Sequence, residues 1–356
     1  MRKLLCYSLI IAISVLYSSV VSAQIGGLGT YKLLYSVNSA RIAGLGGDFL
    51  AIKDNDITLA LPNPSLITPE MNNNLALSYT NFAGISYGYA MYSRTFTKVG
   101  SFAGAVQFIN YGTFTRADET GVITGQFNAN DLAVTVGWGR QLNPHFSIGA
   151  NAKLLYSSYD IYHSLGIAVD AAGTYTSSDN LFTASLLARN IGSQIIPYTA
   201  GYYEPIPFQL QAGASLGLRH IPLRFSFLFN HIERWDLTYF DPNSPDNQKD
   251  PITGEVKTKT GISKFADNLM RHIVIGGELT IAKVLALRLG YNYETRQELK
   301  PPDQAGIGGL SFGFGVHVSM FTLGYTRETY MTGPINPNYF TVAVNLNDFT
   351  KRKEAK

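Results

Sequence analysis

Apolar and polar positions alternate with period two through most of residues 73–349. Leu132, Val134, Val136 and Trp138 fall on one face of an extended segment, and Ala133, Thr135, Gly137 and Gly139 on the other, because successive strand side chains point to opposite faces. The pattern recurs at Phe208, Leu210, Ala212, Ala214, Leu216 and Leu218, and at Leu310, Phe312, Phe314, Val316 and Val318. One row is apolar and aromatic. The other is Gly, Ala, Ser, Thr and Gln with occasional charges, which suits lipid outside and a wet or tightly filled lumen inside. The alternation predicts about fourteen strands, near 74–81, 85–96, 101–111, 130–140, 145–157, 164–176, 181–191, 207–218, 223–235, 270–280, 284–294, 308–318, 320–327 and 339–347. This is the pattern of an all-β, transmembrane antiparallel β-barrel.

The joins follow a second rhythm. Even-to-odd joins are tight, as at Thr97-Lys98-Val99-Gly100 and Gln141-Leu142-Asn143-Pro144. Odd-to-even joins are mostly long: 112–129, 192–206, 236–269, 295–307 and 328–338. Only the join near Phe82-Ala83-Gly84 is expected to break the phase. Short periplasmic turns and long external loops are the habit of outer-membrane barrels, so both termini are expected in the periplasm and the chain in the cell outer membrane.

The ends complete the layout. Arg2 and Lys3, a short apolar stretch from Leu4 to Tyr17, and Val21-Ser22-Ala23 read as an export signal over 1–23. Residues 24–72 do not alternate. Gly44-Leu45-Gly46-Gly47, Asp54-Asn55-Asp56 and Asn63-Pro64-Ser65 give compact irregular structure, expected as an N-terminal plug or hatch in the lumen, with a periplasmic extension as the other reading. Residues 350–356 form a charged periplasmic tail. No apolar run is long enough for a transmembrane helix.

Composition narrows the chemistry. The single cysteine, Cys6, lies in the signal, so the exported chain has no thiolate, disulfide or cysteine metal site. Without Arg2 and Lys3 the chain carries 26 basic and 25 acidic residues, which argues against nucleic acid as a partner. The 22 Tyr and 20 Phe supply candidates for interfacial girdles, among them Tyr79, Phe96, Tyr111, Tyr156, Tyr175, Trp235, Tyr293 and Tyr339.

Motifs that suggest catalysis fail on context. Gly84-Ile85-Ser86-Tyr87-Gly88 and Gly213-Ala214-Ser215-Leu216-Gly217 match a nucleophile elbow, yet neither precedes a helix. Ser178-Asp179-Asn180 and Lys259-Thr260-Gly261 match two penicillin-binding motifs, but the Ser-x-x-Lys that carries the nucleophile is missing. His145, His163, His220, His231 and His272 have no ligand spacing, and His317 stands alone on an inward row. The chain is therefore expected to be no enzyme and to need no cofactor or metal. Lys153, Asp170, Arg224, Glu278 and Arg288 fall on inward rows and are expected to pair across the lumen. The longest loop combines Tyr239, Phe240, Pro242 and Pro245 with a polar remainder, the make-up of a partner-contact surface.

The N-terminal run Ser39-Ala40-Arg41, Gly44-Leu45-Gly46-Gly47, Asn55-Asp56, Leu59-Ala60 and Asn63-Pro64-Ser65 resembles the hatch of the FadL-like barrel superfamily. Thr68-Pro69-Glu70-Met71, Gln107-Phe108-Ile109-Asn110-Tyr111-Gly112 with Thr115-Arg116 and Asp118-Glu119, and Lys153 with Tyr156-Ser157-Ser158-Tyr159 resemble the PorQ family of the type IX secretion system of Bacteroidetes. The resemblance implies a non-enzymatic outer-membrane anchor of the attachment complex. Such an anchor would hold a PorZ-like surface protein, with PorU and PorV in the larger assembly, while cargo is processed and joined to lipopolysaccharide. The alternative it leaves open is a FadL-like transporter of hydrophobic solutes.

Overall fold

The computed structural model describes residues 29–37, 39–48, 51–238, 261–299, 307–330 and 336–348. Fourteen antiparallel strands close on themselves. They are β1 Asn74–Phe82, β2 Ile85–Phe96, β3 Gly100–Ala117, β4 Ile123–Gln141, β5 Phe146–Tyr159, β6 Tyr162–Thr176, β7 Phe182–Ile196, β8 Gln209–Gly217, β9 Leu223–Phe229, β10 Ile273–Ile281, β11 Leu285–Asn292, β12 Leu310–Val318, β13 Phe321–Glu328 and β14 Asn338–Asn345. Each strand pairs with its sequence neighbour, and β1 closes on β14 from Asn74↔Asn345 to Asn81↔Asn338. Closure of β14 on β1 leaves no open edge between the first and last strands, as a sheet in lipid requires.

Burial follows the alternation. Leu132, Val134 and Val136 are exposed on the outer face, while Asp131, Ala133 and Thr135 are buried inside. Phe225, Phe227, Leu287, Leu289, Phe312, Phe314, Phe340 and Val342 continue the exposed apolar belt. A closed barrel wearing such a belt is an outer-membrane barrel.

Strand lengths differ from the sequence expectation where the backbone leaves the regular pattern. β3 and β4 run well past residues 111 and 130 as a long hairpin. A register break between Asn110 and Thr113 hides this, because a bulge interrupts the alternation. Gly112 has φ +91° there, and the Asn110 side chain accepts its N–H. β9 stops at Phe229 rather than 235, since His231 adopts φ +54° and turns the chain. β11 stops at Asn292, whose Oδ1 accepts the Thr295 N–H at 3.1 Å and starts a short helix. A second tight external join, Asp160–Ile161 between β5 and β6, accompanies the one at Ala83–Gly84.

Among the described residues three α-helices are not part of the wall: α1 Ala40–Gly44, α2 Gly261–Arg271 and α3 Tyr293–Leu299. α2 lies in the segment expected to be a loop. Some expected girdle residues also turn inward: Tyr111 donates to Asp131 at 2.7 Å and buried Tyr339 donates to Glu328 at 3.0 Å. Tyr79, Phe96, Tyr156, Tyr175 and Trp235 remain exposed.

Candidate functional site

The described residues of 29–71 pack against the inner face of the wall. The turns are set by side-chain caps: Ser39 Oγ accepts the Ile42 N–H, Asp56 Oδ1 that of Thr58, and Asn63 Oδ1 that of Ser65. α1 meets β11 to β14, the turn Pro64–Leu66 meets β4 to β6, and Pro69–Met71 meets β2. Ile42, Leu45, Ile52, Leu59 and Leu66 form one core with Leu187, Leu228 and Val274 of the wall. Ile57, Leu61, Ile67 and Met71 form a second with Tyr89 and Met91. The inward glycines make room for this. A Cβ on Gly149 would lie 2.3 Å from the Pro64 carbonyl carbon, and one on Gly290 would lie 2.1 Å from the Gly46 nitrogen. The barrel proper begins and ends at one rim, but Thr30 lies at the opposite one, its N–H donating to Pro205 O at 3.1 Å. The described residues of the segment thus run from the rim of the long joins to the opposite rim, where β1 begins.

Two buried charge networks sit in the lumen. In the first, Arg41 of α1 donates through Nε and Nη2 to Glu278 at 3.0 and 2.7 Å. It also pairs with Asp54 at 2.7 Å and Asp56 at 3.1 Å. Arg288 donates to Glu278 at 2.8 Å, and Arg224 faces Glu278 in the β9–β10 register. Two guanidinium groups therefore pair with three carboxylates, with Arg224 on the strand beside them. In the second, Lys153 pairs with Asp170 and donates to Asn190, each at 2.8 Å. The Asn190 N–H donates to Asp170, and Arg189 pairs with Asp48. Of the inward charges named from the sequence, Lys153 pairs with Asp170 and Arg288 with Glu278, each between neighbouring strands rather than across the lumen, while Arg224 has its Nη1 buried without a hydrogen bond. Arg41, Asp48, Asp54, Asp56 and Arg189 complete the networks. Their period gave no signal, because four of them lie outside the strands and Arg189 sits beside a bulge at Asn190, φ +58°.

That bulge marks a seam. β7 pairs with β8 only as far as Arg189↔Gln209. Its remaining residues pair with β6 alone, and the connection through Pro205 and Pro207 lies along their free side. Asn190 Nδ2 donates to Pro207 O at 2.9 Å, and the Glu204 N–H donates to Gln194 at 2.7 Å.

A cavity of about 650 Å³ opens at the rim of the long joins. Gly46, Gly47 and Asp48 form its floor, Arg271 of α2 and Glu294 and Glu298 of α3 its roof. Tyr35, Val37, Leu237 and Leu310 supply apolar wall, and Gln209 brings it to the foot of the seam. Roof and wall are coupled electrostatically. His231 Nδ1 lies 3.0 Å from Glu233, and Nε2 lies 4.0 Å from Glu294. Burial pushes the Glu294 carboxyl up to about 7, with His231 opposing and Glu298 adding to the rise. Burial alone would lower His231, but the Glu233 hydrogen bond and the neighbouring carboxylates raise it on balance.

No group of three or more potential metal ligands occurs among the described residues. Ser215 lies in mid-strand and Ser86 just inside β2. Ser178-Asp179-Asn180 is a turn in which Asp179 accepts from Ser177 and Leu181. Tyr239, Phe240, Pro242 and Pro245 lie outside the described residues.

No family model matches the chain, and no curated protein matches it. Among solved structures, the toluene transporter TodX of Pseudomonas putida aligns with a TM-score of 0.50 at 11% identity, over 90% of this chain and 98% of its own. The toluene transporter TbuX of Ralstonia pickettii aligns with a TM-score of 0.49 at 10% identity, over 88% of this chain and 98% of its own. A FadL homologue of Pseudomonas aeruginosa aligns with a TM-score of 0.47 at 10% identity, over 90% of this chain and all of its own. The likeness to TodX is one of fold.

Proposed function

We propose that this chain is a non-enzymatic outer-membrane barrel that admits a small, largely apolar solute from outside. The observation that carries the reading is the external cavity of about 650 Å³, the size of a small-molecule site. Its apolar walls would hold the body of the solute and His231 and Glu294 a polar end. Residues 29–71 act as the plug beneath it, and the seam beside β7 offers a side exit past Gln209. The fold shared with TodX, a toluene transporter, supports this reading, although fold by itself does not assign function. The test is uptake of a radiolabelled monoaromatic hydrocarbon or fatty acid by vesicles carrying the purified barrel. Val37→Trp, which fills the cavity, should abolish the uptake. Rates equal to protein-free vesicles would remove the reading.

A second reading is favoured by the N-terminal segment packed inside the barrel and by the long β3–β4 hairpin. In it the barrel is the PorQ-like anchor of a type IX attachment complex, holding a PorZ-like surface protein with PorU and PorV nearby. Arg116 and Glu119, part of the run that resembles that family, stand exposed on the outer part of the hairpin. Tyr239, Phe240, Pro242 and Pro245 would add contacts. Affinity purification from outer membranes, with mass spectrometry, tests it. Trimming the hairpin tip and replacing 239–260 by a Gly/Ser linker should both release the partner. Full retention of the partner by both variants would exclude these surfaces.

A further inference from the structure

Helix α2 is built inside out for a helix at a protein–water surface. Ile262, Phe265, Ala266, Leu269 and Met270 recur at intervals of three and four, so they share one face of the helix, and Lys264, Asp267, Asn268 and Arg271 share the other. A helix lying on a soluble protein turns its apolar stripe toward the core. α2 turns its polar stripe that way. Asp267 accepts from Tyr293 OH of α3 at 2.7 Å, Asn268 accepts the Leu237 N–H at 3.2 Å, and Arg271 lines the cavity. The apolar stripe is left bare except at half-buried Leu269: Ile262 is 83% exposed and Phe265 56%.

The bare stripe is continuous with the lipid-facing belt. Phe227 and Ile275 are cross-strand partners on the outer face, both exposed. One step toward the rim, Phe229 of the same outer row stacks on His272 at 5.0 Å. His272 stacks on Trp235 at 5.1 Å, and Trp235 meets Phe265 of α2 at 5.4 Å. This file of rings leads from the belt to the apolar face of the helix, with exposed Ile232 beside it. Aromatic rings at such a height are at home in the membrane interface.

We infer that α2 is an interfacial helix, seated on the outer leaflet at the rim of the barrel with Ile262, Phe265 and Met270 dipped into lipid and its polar face closing the cavity. The occupant of the bare face is therefore the bilayer, the same medium that covers Phe227 and Ile275. An amphipathic helix in the interface plane buries its apolar face at the boundary of headgroups and acyl chains. The arrangement couples the roof of the cavity to the membrane, because Arg271 and the Asp267–Tyr293 bond move with the helix. The inference stands on α2 and the belt alone, whichever function the cavity serves.

The test places a single fluorophore on the face. The chain has two tryptophans, Trp138 and Trp235. In the full-length Trp138→Phe/Trp235→Phe background, Ile262→Trp is compared with Phe227→Trp as lipid reference and Ile123→Trp as water reference, all in vesicles with acyl chains brominated near the headgroup. Heat-modifiable migration on gels confirms assembly of each variant. The expected result is bromolipid quenching at position 262 close to that at 227, with iodide quenching well below that at 123. Iodide quenching equal to the water reference would show a face in solvent. Shielding from both quenchers would show a protein, or a second copy, on it. Either result overturns the inference. Should the double replacement fail to assemble, a nitroxide on Ile262→Cys in a Cys6→Ser chain gives the same comparison, through collision with oxygen and with a nickel chelate.

Discussion

Arg41 reaches Glu278 across the gap between two separate parts of the chain, whereas Lys153 reaches Asp170 between neighbouring strands of one wall. Both sites are deeply buried and both balance their charges, yet they hold different things together. The Arg41 network ties the lumenal segment to β10 and β11, and also to its own turn at Asp54 and Asp56. The Lys153 pair sits where β7 bulges at Asn190, so it braces the wall beside the seam. Desolvation is expensive in both, and removal of one partner leaves a charge with no compensation.

The largest expected effects come from such single removals. Glu278→Ala leaves Arg41, Arg224 and Arg288 with only Asp54 and Asp56, and should lower stability by about 3–5 kcal/mol, read as the urea midpoint in micelles. Lys153→Ala should cost a similar amount. The two should part in a second readout, protease access to residues 29–71. Glu278→Ala should open that segment and Lys153→Ala should not. Equal protection in both variants would break the comparison.

Double replacements sharpen it. Lys153→Met/Asp170→Leu removes both charges of the pair and should recover part of the single-variant loss, because apolar isosteres can replace a buried pair at little cost, although the Asn190 N–H and Asn151 Nδ2 lose their acceptor. Arg41→Met/Glu278→Leu should recover much less, since Arg224, Arg288, Asp54 and Asp56 stay behind without their partners.

Charge on the lipid face sets a scale for both. Val134→Arg or Phe314→Arg should cost about 2–4 kcal/mol near the bilayer midplane. Thr135→Arg would be mild in a hydrated lumen, but Thr135 is 1% exposed, so it too should impair assembly. Heat-modifiability of the three variants checks this directly.

Smaller still is the response of the roof to pH. Glu294 titrates near 7 when folded, above its ordinary 4.5. Its raised value means that stability present at low pH is lost as pH rises through about 7. His231 is also raised from its ordinary 6.5, so its contribution likewise declines above that value as the ring deprotonates. Hydrogen exchange in α3, corrected for the intrinsic rate, should be faster at pH 8 than at pH 6, and Glu294→Gln should flatten the difference. The smallest effect belongs to the hairpin. Arg116 and Asp160 pair at an exposed site, so Arg116→Ala should change stability by no more than about 1 kcal/mol.

The comparison also shows what a sequence can disclose. The outer belt was legible at Leu132, Val134 and Val136, because lipid imposes one rule on every second residue and period two writes it locally. The same alternation disclosed the strand number, since every strand of a barrel must set lipid against lumen. Lys153, Asp170, Glu278 and Arg288 were legible as inward charges for the same reason. Arg41, Asp48 and Asp54, which complete the two networks, were not, because a segment without regular period gives no direction to its side chains. The bulges at Gly112 and Asn190 erased the pattern just where β3 and β7 depart from it. The exposed face of α2 was hidden as well. Its amphipathic spacing lies in the sequence, but which face meets the protein was decided by Tyr293, Leu237 and the cavity, contacts that exist only once distant strands have closed the barrel.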